Sequence, residues 1–291
     1  MKTPLLCSTL ALALSAAPLA LGQQFPKGTV VHYPPRGPVA RQQAPVPLAQ
    51  RQKQLRDLLD AIHQYRLKTH PEAASILGDK RYDAELTDYS AEAWEQRLDQ
   101  ENAFMMQLAA IDTTGMSAAE KQSKHQMMQT LIAEQNAAAT RPWETPVTAT
   151  SGLPFSLARL PAKLHFQSTQ DYDNYISRLN KVPTAFRQIS DDLLLGVQDE
   201  NPPSAATIRG VLAQIRAVTS QQPEDSPFAL PLKEFPSSIS AAEQASLRKA
   251  VLTAITTRVF PAYERFGRFL KSLQPAASKP NSPSNTPKVQ P

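Results

Sequence analysis

Through most of the middle of the chain, apolar residues return every three or four positions, the period of an α-helix with one buried face. Leu55, Leu58, Leu59, Ile62 and Tyr65 form the first such stripe, and Pro71 closes it. Ser90 is placed to cap a second helix whose Trp94, Leu98, Met105 and Leu108 share a face. Ser117 and Glu120 have the spacing of a capping box ahead of Met127, Met128, Leu131 and Ile132. Residues 140–167, with "RPWETP" and "SGLPFS", read as a long irregular connection that needs its own anchors, Trp143 and Phe155 being the candidates. Ser168 and Asp171 open a helix through Tyr172, Tyr175, Ile176 and Leu179; Pro183 kinks or divides it, and Phe186, Ile189, Leu193 and Leu194 continue its face. Ser204 starts another over Ile208, Val211, Leu212 and Ile215. Ser240 and Glu243 open the last, through Leu247, Val251, Ile255 and Val259, then Pro261, Tyr263, Phe266 and Leu270. No strand pair or hairpin signal stands out. The expectation is an all-α, irregular multi-helix bundle with long connecting loops and disordered Pro-rich termini.

The ends of the chain differ from this middle. Residues 1–22, "MKTPLLCSTLALALSAAPLALG", carry Lys2, an apolar run too short to span a bilayer, and small residues at Ala20 and Gly22, the pattern of a signal peptide. Cys7 would leave with it, and disulfides and thiolate chemistry with Cys7. An exported protein, periplasmic or extracellular and not membrane-spanning, is expected. Residues 23–50 and 274–291 are rich in Pro and polar side chains, which bury little apolar surface; both are expected to be disordered tails around a helical domain at 51–273.

The net charge of +5 belongs to these ends. Removing Lys2, Lys27, Arg36, Arg41, Lys271, Lys279 and Lys288 leaves −2 over residues 51–270, so the middle carries no basic footprint for nucleic acid.

The search for chemistry gives little. The five histidines, at 32, 63, 70, 125 and 165, form no His-Glu-x-x-His pair, and no two stand three or four apart. No Gly-x-Ser-x-Gly elbow or phosphate-binding glycine loop is present. Asp79, Asp83, Glu85 and Asp88 crowd "HPEAASILGDKRYDAELTDYS", residues 70–90, in no calcium-loop spacing. Gly78 there suits a left-handed helix end, with Arg81 paired to a carboxylate and Tyr82, Leu86 and Tyr89 pinning the loop to the core. Asp191, Asp192, Asp199 and Glu200 read as the solvated end of a helix. No cofactor, catalytic residue or metal ligand is assigned.

The same stretch carries a resemblance. "PEAASILGDKRYDAELTDYS" followed by "AEAWEQRLDQENAFMMQLAAID", then "FQSTQDYDNYISRLNKVPTAFRQISDDLLLGV", "SPFALPLKEFP" and "AAEQASLRKAVLTAITTRVFPAYERFGRFLKSL" resemble the amino-terminal half of the bacterial DUF885 family over about residues 51–273. The resemblance implies a zinc-metallopeptidase-like fold whose second half carries a His-Glu-x-x-Pro-Gly-His-His segment. No residue of that segment has a counterpart here, so no ligand or general base carries over. The matching positions, Gly78, Asp79, Arg81, Tyr82, Asp83, Asp88, Tyr89, Arg178, Pro183, Pro261 and Tyr263, are candidates for structural or groove-lining roles.

Three readings remain open on the sequence. The first is an exported non-catalytic helical domain that binds a peptide or protein, with Met105, Met106, Met127 and Met128 as the face to watch for an adaptable surface, core filling being the role expected of most of them. The second is a truncated product of a metallopeptidase-like gene, self-associating through exposed apolar helix faces. The third is a hydrolase whose cation is held by Asp79, Asp83 and Asp88 or by His63 and His70.

Overall fold

The structure is a computed structural model that describes residues 46–274. The expected leader with Cys7, His32 and most of both Pro-rich tails lie outside the described residues. The described part is all-α, with nine α-helices: α1 (Leu48–Thr69), α2 (Pro71–Ile76), α3 (Ala91–Ala110), α4 (Ala118–Ala138), α5 (Leu153–Arg159), α6 (Thr169–Gln198), α7 (Ala205–Thr219), α8 (Ala241–Ala254) and α9 (Phe260–Ser272). Short 3-10 turns and long loops join them, and an isolated bridge between Val147 and Gly152 is the extent of β pairing among the described residues. α1 begins at Leu48, slightly before residue 51, where the helical domain was expected to begin. No helix among the described residues is long and apolar enough to cross a membrane.

Two apolar clusters organise the helices. Leu55, Leu58 and Ile62 of α1 meet Phe104 and Leu108 of α3 and Leu131 of α4 in a three-helix unit. Each such buried side chain contributes about 1.5–3 kcal/mol. The larger cluster is built around α6, whose Tyr172, Tyr175, Leu179, Val182, Phe186, Ile189 and Leu193 alternate three- and four-residue steps and pack against α8 and α9 in a core that α5 and α7 complete.

The caps expected from sequence form. Ser90 accepts from the Ala93 N–H, Ser204 from the Thr207 N–H, and Ser117 with Glu120 and Ser240 with Glu243 make reciprocal boxes. Pro183 does not divide α6, which runs unbroken from Thr169 to Gln198. Pro261 follows a π turn, Ile255–Val259, in which the Phe260 N–H bonds to the Ile255 carbonyl. That wider turn answers two demands. It brings the backbone to a proline that has no N–H to give. It also re-phases the strict four-residue spacing of Leu247, Val251, Ile255 and Val259, which would wander around a helix of 3.6-residue period.

The connection at 140–167 departs from expectation. It contains α5, and its anchors are Val147, Leu153, Leu157 and Leu160, all in the large core. Leu153, Leu157 and Leu160 have helical spacing, but Pro154 and Pro161 obscure it. The Pro154 carbonyl accepts a 2.8 Å bond from the Tyr263 hydroxyl. Trp143 and Phe155 stay partly exposed, against Trp94 and Arg159 respectively. On α3 the buried positions are Arg97, Phe104 and Leu108; of the face expected through Trp94, Leu98, Met105 and Leu108, Leu108 is buried and the other three are half-buried, so the buried face is rotated from it.

Two glycines at positive φ separate backbone strain from steric exclusion. Gly78 (φ 87°) ends α2, donating from its N–H to the Ser75 carbonyl while Asp79 donates to the Ala74 carbonyl, and a methyl group there would meet no heavy atom within 4 Å. At Gly152 (φ 97°) a methyl group would fall 2.6 Å from the Pro146 carbonyl oxygen. Gly78→Ala is therefore expected to cost about 1 kcal/mol, from the backbone alone. Gly152→Ala is expected to cost more than about 2 kcal/mol, because a main chain must also move. Chemical denaturation of both variants checks the order, and equal losses would contradict the assignment.

Candidate functional site

The residues singled out in the sequence fall into three places. The first is the clasp around Arg178. This side chain is 1% exposed, and its Nε donates to the Glu85 carbonyl (2.7 Å) while Nη2 donates to the Tyr82 carbonyl (2.9 Å) and Ser75 Oγ (2.7 Å). The Ser75 hydroxyl also lies 2.5 Å from Asp83 Oδ1, linking the buried cation to a carboxylate one step away. Burial pushes the guanidinium's pKa down, and the charges of Glu72, Asp83 and Glu85 oppose the shift. A cavity of about 30 Å³, the size of a water molecule, lies beside it. Around the clasp, Lys80 reaches Asp171 at 2.7 Å, and Lys181 pairs with Glu85. Burial would raise the Asp171 carboxyl, but the bonds from Lys80 and from the Gln167 and Ser168 N–H groups outweigh it and hold its pKa below the ordinary value.

Arg81 closes on its own neighbour. Its Nε and Nη2 grip both oxygens of Asp79, and Nη2 also donates to Gln64 Oε1 at 2.6 Å. Tyr82 holds the loop through its carbonyl, with its ring beside Arg81, while Leu86 and Tyr89 pack on the core. Asp88 accepts from the Ser90 N–H and from Gln188 of α6, whose Oε1 accepts from the Tyr89 N–H. Asp79, Asp83 and Asp88 thus have separate partners, and no group of three His, Cys, Asp or Glu side chains among the described residues could hold a metal ion.

The second place is the α6–α9 side. Pro183 lines an open groove of about 460 Å³ with Phe186, Arg187, Arg265, Phe266 and Phe269. Pro261 begins α9 beside this groove, and Tyr263 turns away into the core, where burial raises its phenol far above the ordinary pKa.

The third place was missed by sequence reasoning except for His63 and His70. A cleft of about 520 Å³ lies among α1, α2, α3 and α4. Ile62, Leu67, Phe104 and Leu131 give it apolar walls, and Tyr65, Trp94, Arg97, Glu101 and the Arg66–Glu134 pair (2.6 Å) give it polar ones. Across α2 lies a second groove of about 350 Å³, sharing His70 and Ala73 with the first. Leu77, 72% exposed, stands at the cleft. Of the four methionines, Met105, Met127 and Met128 pack on the three-helix core and Met106 alone is exposed, at 74%.

The acidic group Asp191, Asp192, Asp199 and Glu200 also corrects the sequence reading. Asp191 is exposed and Asp199 pairs with Arg141, but Asp192 is buried, with Oδ2 lacking a hydrogen-bond partner. Burial, with the Asp191 charge second, pushes its carboxyl up to about 7. Asp192 stands fourteen residues after Arg178 and twenty-one after Asp171, so one stripe of α6 carries all three of its buried carboxylate and guanidinium side chains. That heptad spacing was the available signal.

Residues 71–288 match the model of the family described as "Bacterial protein of unknown function (DUF885)". The match starts later than the resemblance seen in the sequence and runs past Leu273, where that resemblance ended. A crystal structure described as "the putative lipoprotein from Colwellia psychrerythraea" superposes with a TM-score of 0.67 at 18% identity, covering 78% of this chain and 42% of that one. The likeness shows a shared fold, and this chain spans less than half of that protein. No curated protein matches the chain significantly.

Three outcomes are expected. Arg178→Met leaves the Glu85 and Tyr82 carbonyls without their donor and should cost about 3 kcal/mol or more, with faster amide exchange across 78–90. Arg81→Ala, removing an exposed pair, should move the melting temperature little. For Asp192, the raised folded-state pKa means that the native state holds a proton between about pH 4 and 7 that the unfolded chain has released. Its contribution is complete below pH 4 and is lost as pH rises through 7. Asp192→Asn should therefore match the parent near pH 4 and exceed it at pH 8, by on the order of 2 kcal/mol. A difference that does not change with pH would refute the linkage.

Proposed function

The chain belongs to the bacterial DUF885 family, and on that premise we propose that it is an exported, non-catalytic helical domain that binds a peptide or protein segment. The observation that carries this reading is the 520 Å³ cleft on the three-helix unit. It falls in the size range of ligand sites and combines an apolar floor with a few charged groups. The leader pattern at residues 1–22 supports export, and the word "lipoprotein" attached to the structural relative is in keeping with it.

A second reading follows from the α6–α9 groove, where Phe269, Arg187 and Arg265 rim an apolar trough. There a second protein, or another copy of this chain, would cover a helix face.

Tryptophan fluorescence separates the two. The chain has two tryptophans; Trp94 lines the cleft and Trp143 lies against it, ring centroids 5.6 Å apart. Titration with end-capped hexapeptides rich in Leu and Phe should shift the emission and saturate if the cleft is the site. A flat titration, with apparent mass rising with concentration in sedimentation and reset by Phe269→Ser, would favour the groove instead.

A further inference from the structure

Arg97 is 94% buried, yet has no carboxylate partner among the described residues. One protein hydrogen bond is made, from Nη1 to the Asp88 carbonyl at 2.8 Å, and the guanidinium lies over the Trp94 ring at 4.5 Å. A guanidinium has five donors, and a buried one is costly when acceptors, neutral or anionic, leave most of them unmet. One helical turn later on α3, Glu101 lines the same cleft, partly buried. It accepts no hydrogen bond and forms no ion pair among the described residues. An Arg and a Glu four apart on a helix ordinarily reach each other. Here they share one cleft and feel each other's charge, yet neither is within ion-pair distance of an opposite charge among the described residues, while the neighbouring Arg66 and Glu134 have already paired.

We propose that the cleft reads a zwitterion: Arg97 receives the carboxylate, and Glu101 the ammonium, of an amino acid or short peptide with an apolar side chain. The planar fork of Arg97 suits a carboxylate, which would replace bonds that the protein leaves unmade. Burial, with the Glu134 charge second, raises the Glu101 carboxyl, and an ammonium beside it would relieve both effects. The two side chains start about 5–6 Å apart along α3, so a ligand of one to about three residues, at roughly 3.5 Å per residue, brings its ends within reach of both. Phe104, Leu131, Ile62 and Leu67 form the apolar wall against which its side chain would lie. This inference rests on the peptide-binding reading and adds to it the recognition of free ends.

The test caps the ligand, so folding of the protein is not at issue. Phe-Leu dipeptide is titrated into the full chain, followed by Trp94 emission and calorimetry, beside its N-acetylated, C-amidated and doubly capped forms. The free dipeptide should bind, and each single cap should weaken it about tenfold or more. In Glu101→Gln the N-acetyl form should bind as well as the free one, while the C-amide remains weak. Arg97→Lys should lose most of the carboxylate preference while keeping the cation over Trp94. Equal binding of free and doubly capped dipeptide overturns the zwitterion assignment and leaves the peptide reading standing. If neither these dipeptides nor the capped hexapeptides bind, both fall.

Discussion

A buried guanidinium without a direct carboxylate partner is among the most demanding groups a helical bundle can hold. Here the rest of the molecule is arranged around one. Arg178 projects from the first third of α6 into the loop that follows α2 and takes two of its carbonyls and the Ser75 hydroxyl. A loop rich in turns has backbone acceptors that no helix or sheet satisfies, and a fixed fork of donors can serve several at once. The exchange runs in both directions, since the loop carbonyls solvate a charge that burial would otherwise make prohibitive. The clasp ties the end of α2 and residues 78–90 to α6, and so determines where the three-helix unit meets the large bundle.

The cleft follows from that placement. α2 runs for only six residues before Gly78 turns the chain, and the clasp holds it against α6. α1, α3 and α4 pack on one another through their own core, so the space beside α2 is left as a cleft on one side and a groove on the other. Arg97 sits at the meeting point. It bonds to the Asp88 carbonyl at the end of the clasped loop, so the geometry of the turn is transmitted to the wall of the cleft. A sequence motif that looks like a site is in this protein the support of a neighbouring cleft.

α6 explains why buried charge is concentrated where it is. Its apolar stripe faces α8 and α9, and a neighbouring stripe at heptad spacing carries Asp171, Arg178 and Asp192. Asp171 is satisfied by Lys80 and two N–H groups, and Arg178 by the clasp. Asp192 has no equivalent, which is why its carboxyl favours the neutral form near pH 7.

What the sequence determined by itself was local. Helix periodicity, the Ser caps with their Glu partners and the left-handed Gly78 each depend on residues within one or two turns of each other, so they were legible before any tertiary structure. Arg178 was legible only through resemblance to a family, since an arginine in a helix carries no mark of what it will bond to. Trp143 and Phe155 were reasonable anchors by size, but the core took the four aliphatic positions around two prolines instead. Arg97 and Asp192 look like surface residues because charged side chains usually are, and the burial of each depends on an element far away in the chain. Pairing is likewise a property of tertiary structure. Whether Arg97 meets Glu101 or stands apart from it is decided by the packing of α1 and α4 around them, which sequence spacing does not encode.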